Sequence, residues 1–178
     1  SAGCGKTSLM RRFYNNDFGQ RTIGDSLVTK KMQINGKAVK VELWALSSSR
    51  SGATPLFPRL CERVDGFILA YDISDEQSFV VLDSLLQASQ QPDIIAKREA
   101  SGKEKGLDYL VIGCKADLPA DSSHYVGPAR VQTWAAQYEM PFFETSAKTG
   151  DMVDEAFMAL IRTIYNKQQC SLPDVNYD

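Results

Sequence analysis

The sequence predicts an α/β domain in three layers, with helices on both faces of a mostly parallel sheet. Two observations carry this. Gly66–Asp72 (GFILAYD) and Asp108–Cys114 (DYLVIGC) are short, nearly unbroken apolar runs, as strands covered on both faces must be. Helical patterns at about 75–90, 128–139 and 151–167 alternate with these runs and with a third strand candidate at 141–145, the rhythm of a layered α/β sheet.

The elements follow in order. From Lys6 to about Asn16, Leu9, Met10, Phe13 and Tyr14 fall on one helical face. Residues 17–26 are loop-like. Val28, Met32 and Ile34 then share a strand face that Lys30 interrupts, Asn35-Gly36 gives a type I′ turn signal, and Val39, Val41 and Leu43 resume the alternation, so residues 27–46 form a β-hairpin. The polar stretch 47–58 precedes a short helix. Residues 91–107 are long, charged and unpatterned, which predicts a mobile surface insertion, and 168–178 reads as a frayed tail beyond a domain spanning 1–167.

Composition narrows the function. The chain has 178 residues, 43% of them apolar, enough for a real core without metal or disulfide. Twenty Lys and Arg against 22 Asp and Glu give a net charge of −2, too balanced for the basic footprint of a nucleic-acid binder. Cys4, Cys61, Cys114 and Cys170 form no C-x-x-C pair, which reads as reduced thiols in the cytosol. His124 is the only histidine, so His-based nucleophilic or zinc machinery lacks parts. No apolar run reaches membrane-spanning length and no signal peptide is visible.

The opening Ser1-Ala2-Gly3-Cys4-Gly5-Lys6-Thr7-Ser8 matches the last positions of G-x-x-x-x-G-K-[ST], whose first glycine would fall one residue before Ser1. That pattern follows a buried strand, so the sequence predicts that the first strand of the sheet is missing from this chain. Gly3 and Gly5 allow backbone N–H groups to form a nest for phosphate oxygens at a helix start. Lys6 supplies a cation for phosphates, and the Thr7 hydroxyl a ligand for Mg²⁺. Lys115-Ala116-Asp117 and Glu144-Thr145-Ser146-Ala147-Lys148 end two predicted strands, the edge where open α/β sheets bind ligands.

With these segments, Thr22-Ile23-Gly24 and Leu43-Trp44, essentially the whole chain resembles a small GTPase of the Ras superfamily, most closely the Rab family. Within it the late-endosomal branch is the nearest likeness, through Leu82-Asp83-Ser84 and Phe142–Lys148. The resemblance implies the P-loop NTPase fold of small G proteins, whose mixed sheet has one antiparallel strand. It implies GTP or GDP and Mg²⁺ as ligands. Gly3, Cys4, Gly5, Lys6, Thr7, Ser8 and Thr22 would hold the phosphates, Thr7 and Thr22 the metal, and Lys115, Asp117, Ser146, Ala147 and Lys148 the base. The Asp117 carboxylate would accept from the guanine edge, while adenine would leave it unpaired, a mismatch worth about 10⁴-fold or more. Effector or regulatory proteins would bind near Thr22 and Trp44 of a monomer acting in vesicle trafficking or signalling.

The departures weaken the enzyme. Where such proteins read W-D-T-A-G-Q-E, this chain has Trp44-Ala45-Leu46-Ser47-Ser48-Ser49-Arg50. Ala45 cannot hold the water shell of Mg²⁺, Ser48 replaces the glycine whose amide senses the γ-phosphate, and Ser49 replaces the glutamine that orients water. Arg50 reads as a solvated loop residue. Cys114 stands for the base-motif asparagine, and Cys4 and Cys114 read as small buried hydrophobes. Of the surface triad that Rab partners read, Leu27, Trp44 and Cys61 occupy the positions. Cys170 lies eight residues from the C-terminal Asp178, so no prenylation pattern ends the chain; the expected location is cytoplasmic, or peripheral to endomembranes where a lipidated tail is present. The competing reading is a pseudo-GTPase, an interaction scaffold independent of nucleotide. A nucleoside kinase lacks its Arg-rich lid.

Overall fold

The structure, a computed structural model, describes residues 3–19, 27–46, 57–103, 106–120 and 124–170. A turn at residues 3–5 enters α1 (Lys6–Asn15). The hairpin follows as β1 (Leu27–Ile34) and β2 (Lys37–Trp44), then α2 (Phe57–Cys61), β3 (Gly66–Asp72), α3 (Glu76–Ser89), α4 (Pro92–Ala100), β4 (Asp108–Cys114), α5 (Pro128–Ala136), β5 (Phe142–Thr145) and α6 (Val153–Cys170). The strands β3, β4 and β5 form a parallel sheet in that order, and β1 pairs antiparallel with β2. This mixture of a parallel sheet and an antiparallel pair is the predicted fold class. Among the described residues no ladder joins β2 to β3.

Strand alternation divides the core. Ala70, Leu110, Ile112 and Cys114 point to one face, where α1 and α6 cover them with Leu9, Phe13, Val153, Phe157 and Ile161. Leu69, Tyr71 and Val111 point to the other, against α3 and α5 through Phe79, Leu82, Leu86 and Val131. Phe13 and Phe157 stack at 4.4 Å between ring centroids, fixing α1 to α6. Because neighbouring residues in β3 and β4 serve opposite layers, both faces must be apolar, which is why these strands read as unbroken runs.

The hairpin turn has φ of 51° at Asn35 and 78° at Gly36, the left-handed pair that a type I′ turn requires. Lys30 breaks the apolar row for a local reason. Its ammonium lies 4.0 Å from the Phe13 ring centroid and donates to the Phe13 carbonyl, so the charge is spent tying β1 to α1.

Two expectations change. Residues 92–100 are helical, not an unpatterned insertion. Pro92 takes the first turn, where a missing N–H costs nothing; Ile94 is buried with Phe57 and Cys61; and Arg98, 2% exposed, turns inward. Its Nη1 donates to the carbonyls of Cys61 at 2.5 Å and Val64 at 2.7 Å. The tail also starts later than expected, since α6 continues to Cys170. Lys167 pairs with Asp108 and Gln169 accepts from Lys37 Nζ at 2.9 Å, so the last turn is held by the sheet and the hairpin.

Candidate functional site

Three segments far apart in sequence meet at the C-terminal end of β4 and β5. Gly3, Gly5, Ser8, Cys114, Lys115, Asp117, Ala147 and Lys148 line one cavity of about 200 Å³, with Leu9, Phe18 and Leu118 as its apolar wall. A larger cavity of about 430 Å³ opens elsewhere, between β2 and β3, and its lining is dominated by aliphatic and aromatic side chains. Converging polar groups, not size, mark a ligand site, so the smaller cavity is the candidate.

The first segment is the glycine turn. Gly3 and Gly5 take φ of 89° and 103°, torsions that cost glycine no side-chain clash. Gly5 caps α1 without a side-chain hydrogen bond, and no acidic residue lies in the first turn. That helix start suits an anion, which can accept from the open amides and meet the positive end of the helix. Lys6 Nζ donates to Cys4 Sγ at 3.4 Å. Thr7 is exposed. Among the described residues no three His, Cys, Asp or Glu side chains cluster as a metal site, so Mg²⁺ here would rest on the Thr7 hydroxyl and on oxygens that a phosphate and water bring, as this ion commonly does. Thr22, Ser47, Ser48, Ser49 and Arg50 lie outside the described residues.

The second and third segments hold each other. Ser146 Oγ donates to Asp117 Oδ1 at 2.6 Å, and Lys148 Nζ stands 3.7 Å from Oδ2. The Ser146 hydrogen bond is the chief reason that the Asp117 carboxyl sits below its ordinary value. Thr149 N–H donates to Ser146 Oγ and Ser146 N–H to the Asp151 carbonyl, which closes the loop. Lys115, at φ of 67°, sends its ammonium to Asp72 and not to the cavity wall near Asp117. Burial works against ionisation of Asp72, but Lys115 and two hydrogen bonds from Ser74 outweigh it and hold this carboxyl low.

Arg12 was not anticipated. Its Nε donates to the Ala147 carbonyl at 2.7 Å and its Nη2 to the Lys148 carbonyl at 2.8 Å, which straps α1 to the loop after β5. Nothing in the helix pattern singles out Arg12 for this role, because the distinction needs a partner more than a hundred positions away. Cys4 and Cys114 do meet. Both are 1% exposed, and a hydrogen bond between their thiols draws the Cys4 pKa well down and raises that of Cys114. Ala45, one residue past β2, puts no carboxylate at the strand end and lines the larger, apolar cavity. Of the surface triad, Leu27 and Trp44 are register partners and exposed at 43% and 48%. Cys61 is fully buried under α4, so no partner can read it.

A parallel sheet sandwiched between helices, an antiparallel hairpin beside it and a Gly-Lys-Thr turn opening α1 together define the small G-protein fold. The chain belongs to the Ras family, whose model matches residues 1–166. It is 30% identical to Ras-related protein Rab7 of Vigna aconitifolia, with 90% of this chain and 76% of the relative covered. It is 31% identical to Ras-related protein RABG3a of Arabidopsis thaliana, covering 91% and 77% respectively. Ras-related protein Rab-13 of Rattus norvegicus stands at 32%, covering 93% and 77%. The chain is therefore a Rab-like member of the Ras superfamily, and members of this family bind guanine nucleotide with Mg²⁺. Among the described residues no helix is long and apolar enough to cross a membrane.

Proposed function

We propose that the chain is a guanine-nucleotide-binding regulator of the Rab type whose GTP hydrolysis is weak or lost. One observation carries the binding half: the glycine turn, Asp117 and Ala147-Lys148 line a single cavity although they come from opposite ends of the sequence. In this reading Gly3, Cys4, Gly5, Lys6, Thr7 and Ser8 receive the phosphates, with Thr22 closing on the metal. The preset Asp117 carboxylate accepts from guanine, and Ser146, Ala147 and Lys148 frame the base. Bound Mg²⁺ would offset phosphate charge. The protein's own part is positioning, through the Arg12 strap and the Ser146–Asp117 pair. A role in vesicle trafficking or signalling, on the cytoplasmic face of endomembranes, follows from the likeness to Rab proteins. Leu27 and Trp44 are the exposed apolar pair on which effector proteins would dock.

A competition titration with Mg²⁺ tests it. GDP and GTP should displace a fluorescent guanine nucleotide at far lower concentration than ATP, and Lys6→Ala should abolish binding; equal competition by ATP sinks the reading. The scaffold alternative has one observation in its favour. The ammonium groups of Lys6 and Lys115 already engage Cys4 and Asp72, contacts that a protein without nucleotide would keep. Failure of any nucleotide to bind would favour that alternative.

A further inference from the structure

Three register partners cross the parallel sheet just short of its C-terminal end. Tyr71 on β3 pairs with Gly113 on β4, and Gly113 with Glu144 on β5, so their side-chain positions share one face of the sheet. Gly113 leaves the middle of that row open. It has no left-handed φ to satisfy, but a Cβ there would stand 2.8 Å from the Tyr71 hydroxyl oxygen and 3.0 Å from the ring carbon that bears it. The glycine is therefore needed for room, because the Tyr71 side chain lies across it toward Glu144. Neighbouring strands are about 4.8 Å apart, which brings the hydroxyl within one strand spacing of β5. Tyr71 is fully buried, at 0% exposure. Among the described residues neither its hydroxyl nor Oε1 of Glu144, which is also shielded from solvent, has a hydrogen-bond partner. Buried polar atoms are normally paired, with protein or with ordered water, because leaving one unpaired carries its full desolvation penalty. The two atoms are chemically complementary: burial, with the Glu144 charge adding to it, pushes the Tyr71 phenol up and keeps it an O–H donor, and a carboxyl oxygen accepts.

We propose that Tyr71 and Glu144 hold one buried water above Gly113, and that this water braces the sheet end from which the base loop departs. The Tyr71 O–H donates to the water, and the water donates to Glu144 Oε1. The two side chains make no direct bond, and a single water closes a gap of this kind at nearly the enthalpy of a direct hydrogen bond. A divalent cation does not fit the row, since one phenol and one carboxylate fall short of the oxygen ligands that such an ion takes.

The row stands directly behind the residues of the candidate site. Asp72, which takes the Lys115 ammonium, follows Tyr71. Thr145, whose carbonyl accepts the Ala116 N–H at 3.0 Å, follows Glu144, and Ser146 comes next with its bond to Asp117. Strand β5 has only four residues, and Gly113 offers no side chain, so the water supplies the contact that joins β5 to β3 across this row. Without it the end of β5 gains freedom, and Ser146 spends less time on Asp117. The effect on base binding rests on the nucleotide reading given above; the water itself does not.

Crystal structures of the full chain, as the parent and as Tyr71→Phe and Glu144→Gln, test the site. In the parent a water peak should lie about 2.7–3.2 Å from both Tyr71 Oη and Glu144 Oε1. It should persist in Glu144→Gln, whose amide still offers a hydrogen-bonding atom there, and vanish in Tyr71→Phe. In solution the Asp117 carboxyl carbon should titrate nearer 3.8 in Tyr71→Phe than in the parent, and Glu144→Gln should match the parent. Fluorescent GDP should bind Tyr71→Phe about fivefold more weakly, the weight of one net hydrogen bond, and Glu144→Gln as the parent does. Should Tyr71→Phe not fold, Glu144→Met removes the acceptor in its place, with the same losses expected. A parent in which the row is dry, or in which Tyr71 bonds Glu144 directly, overturns the water site whether or not the variants fold. A water that is present while its loss leaves both Asp117 and GDP binding unchanged overturns the brace. If Asp117 shifts in Tyr71→Phe but the parent binds no nucleotide, the brace stands and the nucleotide reading falls.

Discussion

One hydroxyl does most to hold the Asp117 carboxyl below its ordinary value. The hydrogen bond from Ser146 favours the carboxylate, with Lys148 adding a weaker attraction, so the folded-state pKa lies below the ordinary 3.8. A carboxyl depressed by folding contributes stability that is fully present above the ordinary pKa and is lost as pH falls through the depressed value. In Ser146→Ala the Asp117 pKa should therefore rise toward 3.8, read by carboxyl-carbon NMR titration, and guanine affinity should fall with it; an unmoved pKa would assign the depression to another neighbour. In the reading proposed above, Ala45 makes the opposite point, since it supplies no carboxylate for the water shell of Mg²⁺. GTP hydrolysis should be slower than the ~10⁻⁴ s⁻¹ of unaided Ras-type proteins, and the combined variant Ala45→Asp, Ser48→Gly, Ser49→Gln should accelerate it. Single-turnover phosphate release measures both, and equal rates in parent and triple variant would end the idea that catalysis has decayed.

The element most dependent on distant partners is α4. Its sequence, PDIIAKREA, offers only a weak apolar stripe, and a helix of nine residues is marginal on its own in water. It persists because Ile94 enters the cluster around Cys61 and because Arg98 satisfies the carbonyls at the end of α2 and just beyond it. Those carbonyls are left without a strong donor if the guanidinium is removed. Arg98→Leu should cost about 2–4 kcal/mol, from the loss of charge-assisted hydrogen bonds and the exposure of buried acceptors to an apolar neighbour. Urea denaturation checks the magnitude. Hydrogen exchange should rise in 92–100 and 57–64 before it rises in β4, because the sheet is held independently by the two larger core clusters.

For the whole molecule, the decisive feature is the space between β2 and β3. Val39, Val41 and Leu43 on one side and Gly66–Ala70 on the other line a cavity of about 430 Å³, floored by Phe157, Leu160 and Ile164. Strands that face such a space present backbone donors and acceptors to any extended segment. Residues 1–178 alone should consequently melt at a modest temperature and self-associate as concentration rises, and an apolar peptide able to add as a strand should raise the melting temperature and suppress association. A monomeric chain with a sharp, concentration-independent transition would contradict this.

The sequence by itself determined what repeats with short period or carries special torsions. The runs GFILAYD and DYLVIGC declare two-sided burial, Asn35-Gly36 declares the turn between β1 and β2, and Gly3, Gly5 and Lys6 declare a nest at a helix start, because each depends on residues at most a few positions apart. The convergence of Asp117 and Ser146 on that nest was legible too, since parallel strands deliver their C-terminal ends to one edge. Tertiary structure alone decided the fate of side chains whose chemistry fits either water or protein. Arg12, Lys30 and Arg98 look like solvated charges in the chain, yet each finds backbone carbonyls or an aromatic face across a packed interface. Cys4 and Cys114 look like two small hydrophobes, and only the fold brings their sulfurs together. The physical reason is common to all five: a long cation or a thiol has no preferred environment until its partner is placed, and those partners lie between 17 and 136 positions away or, for the thiols, on opposite sides of the site.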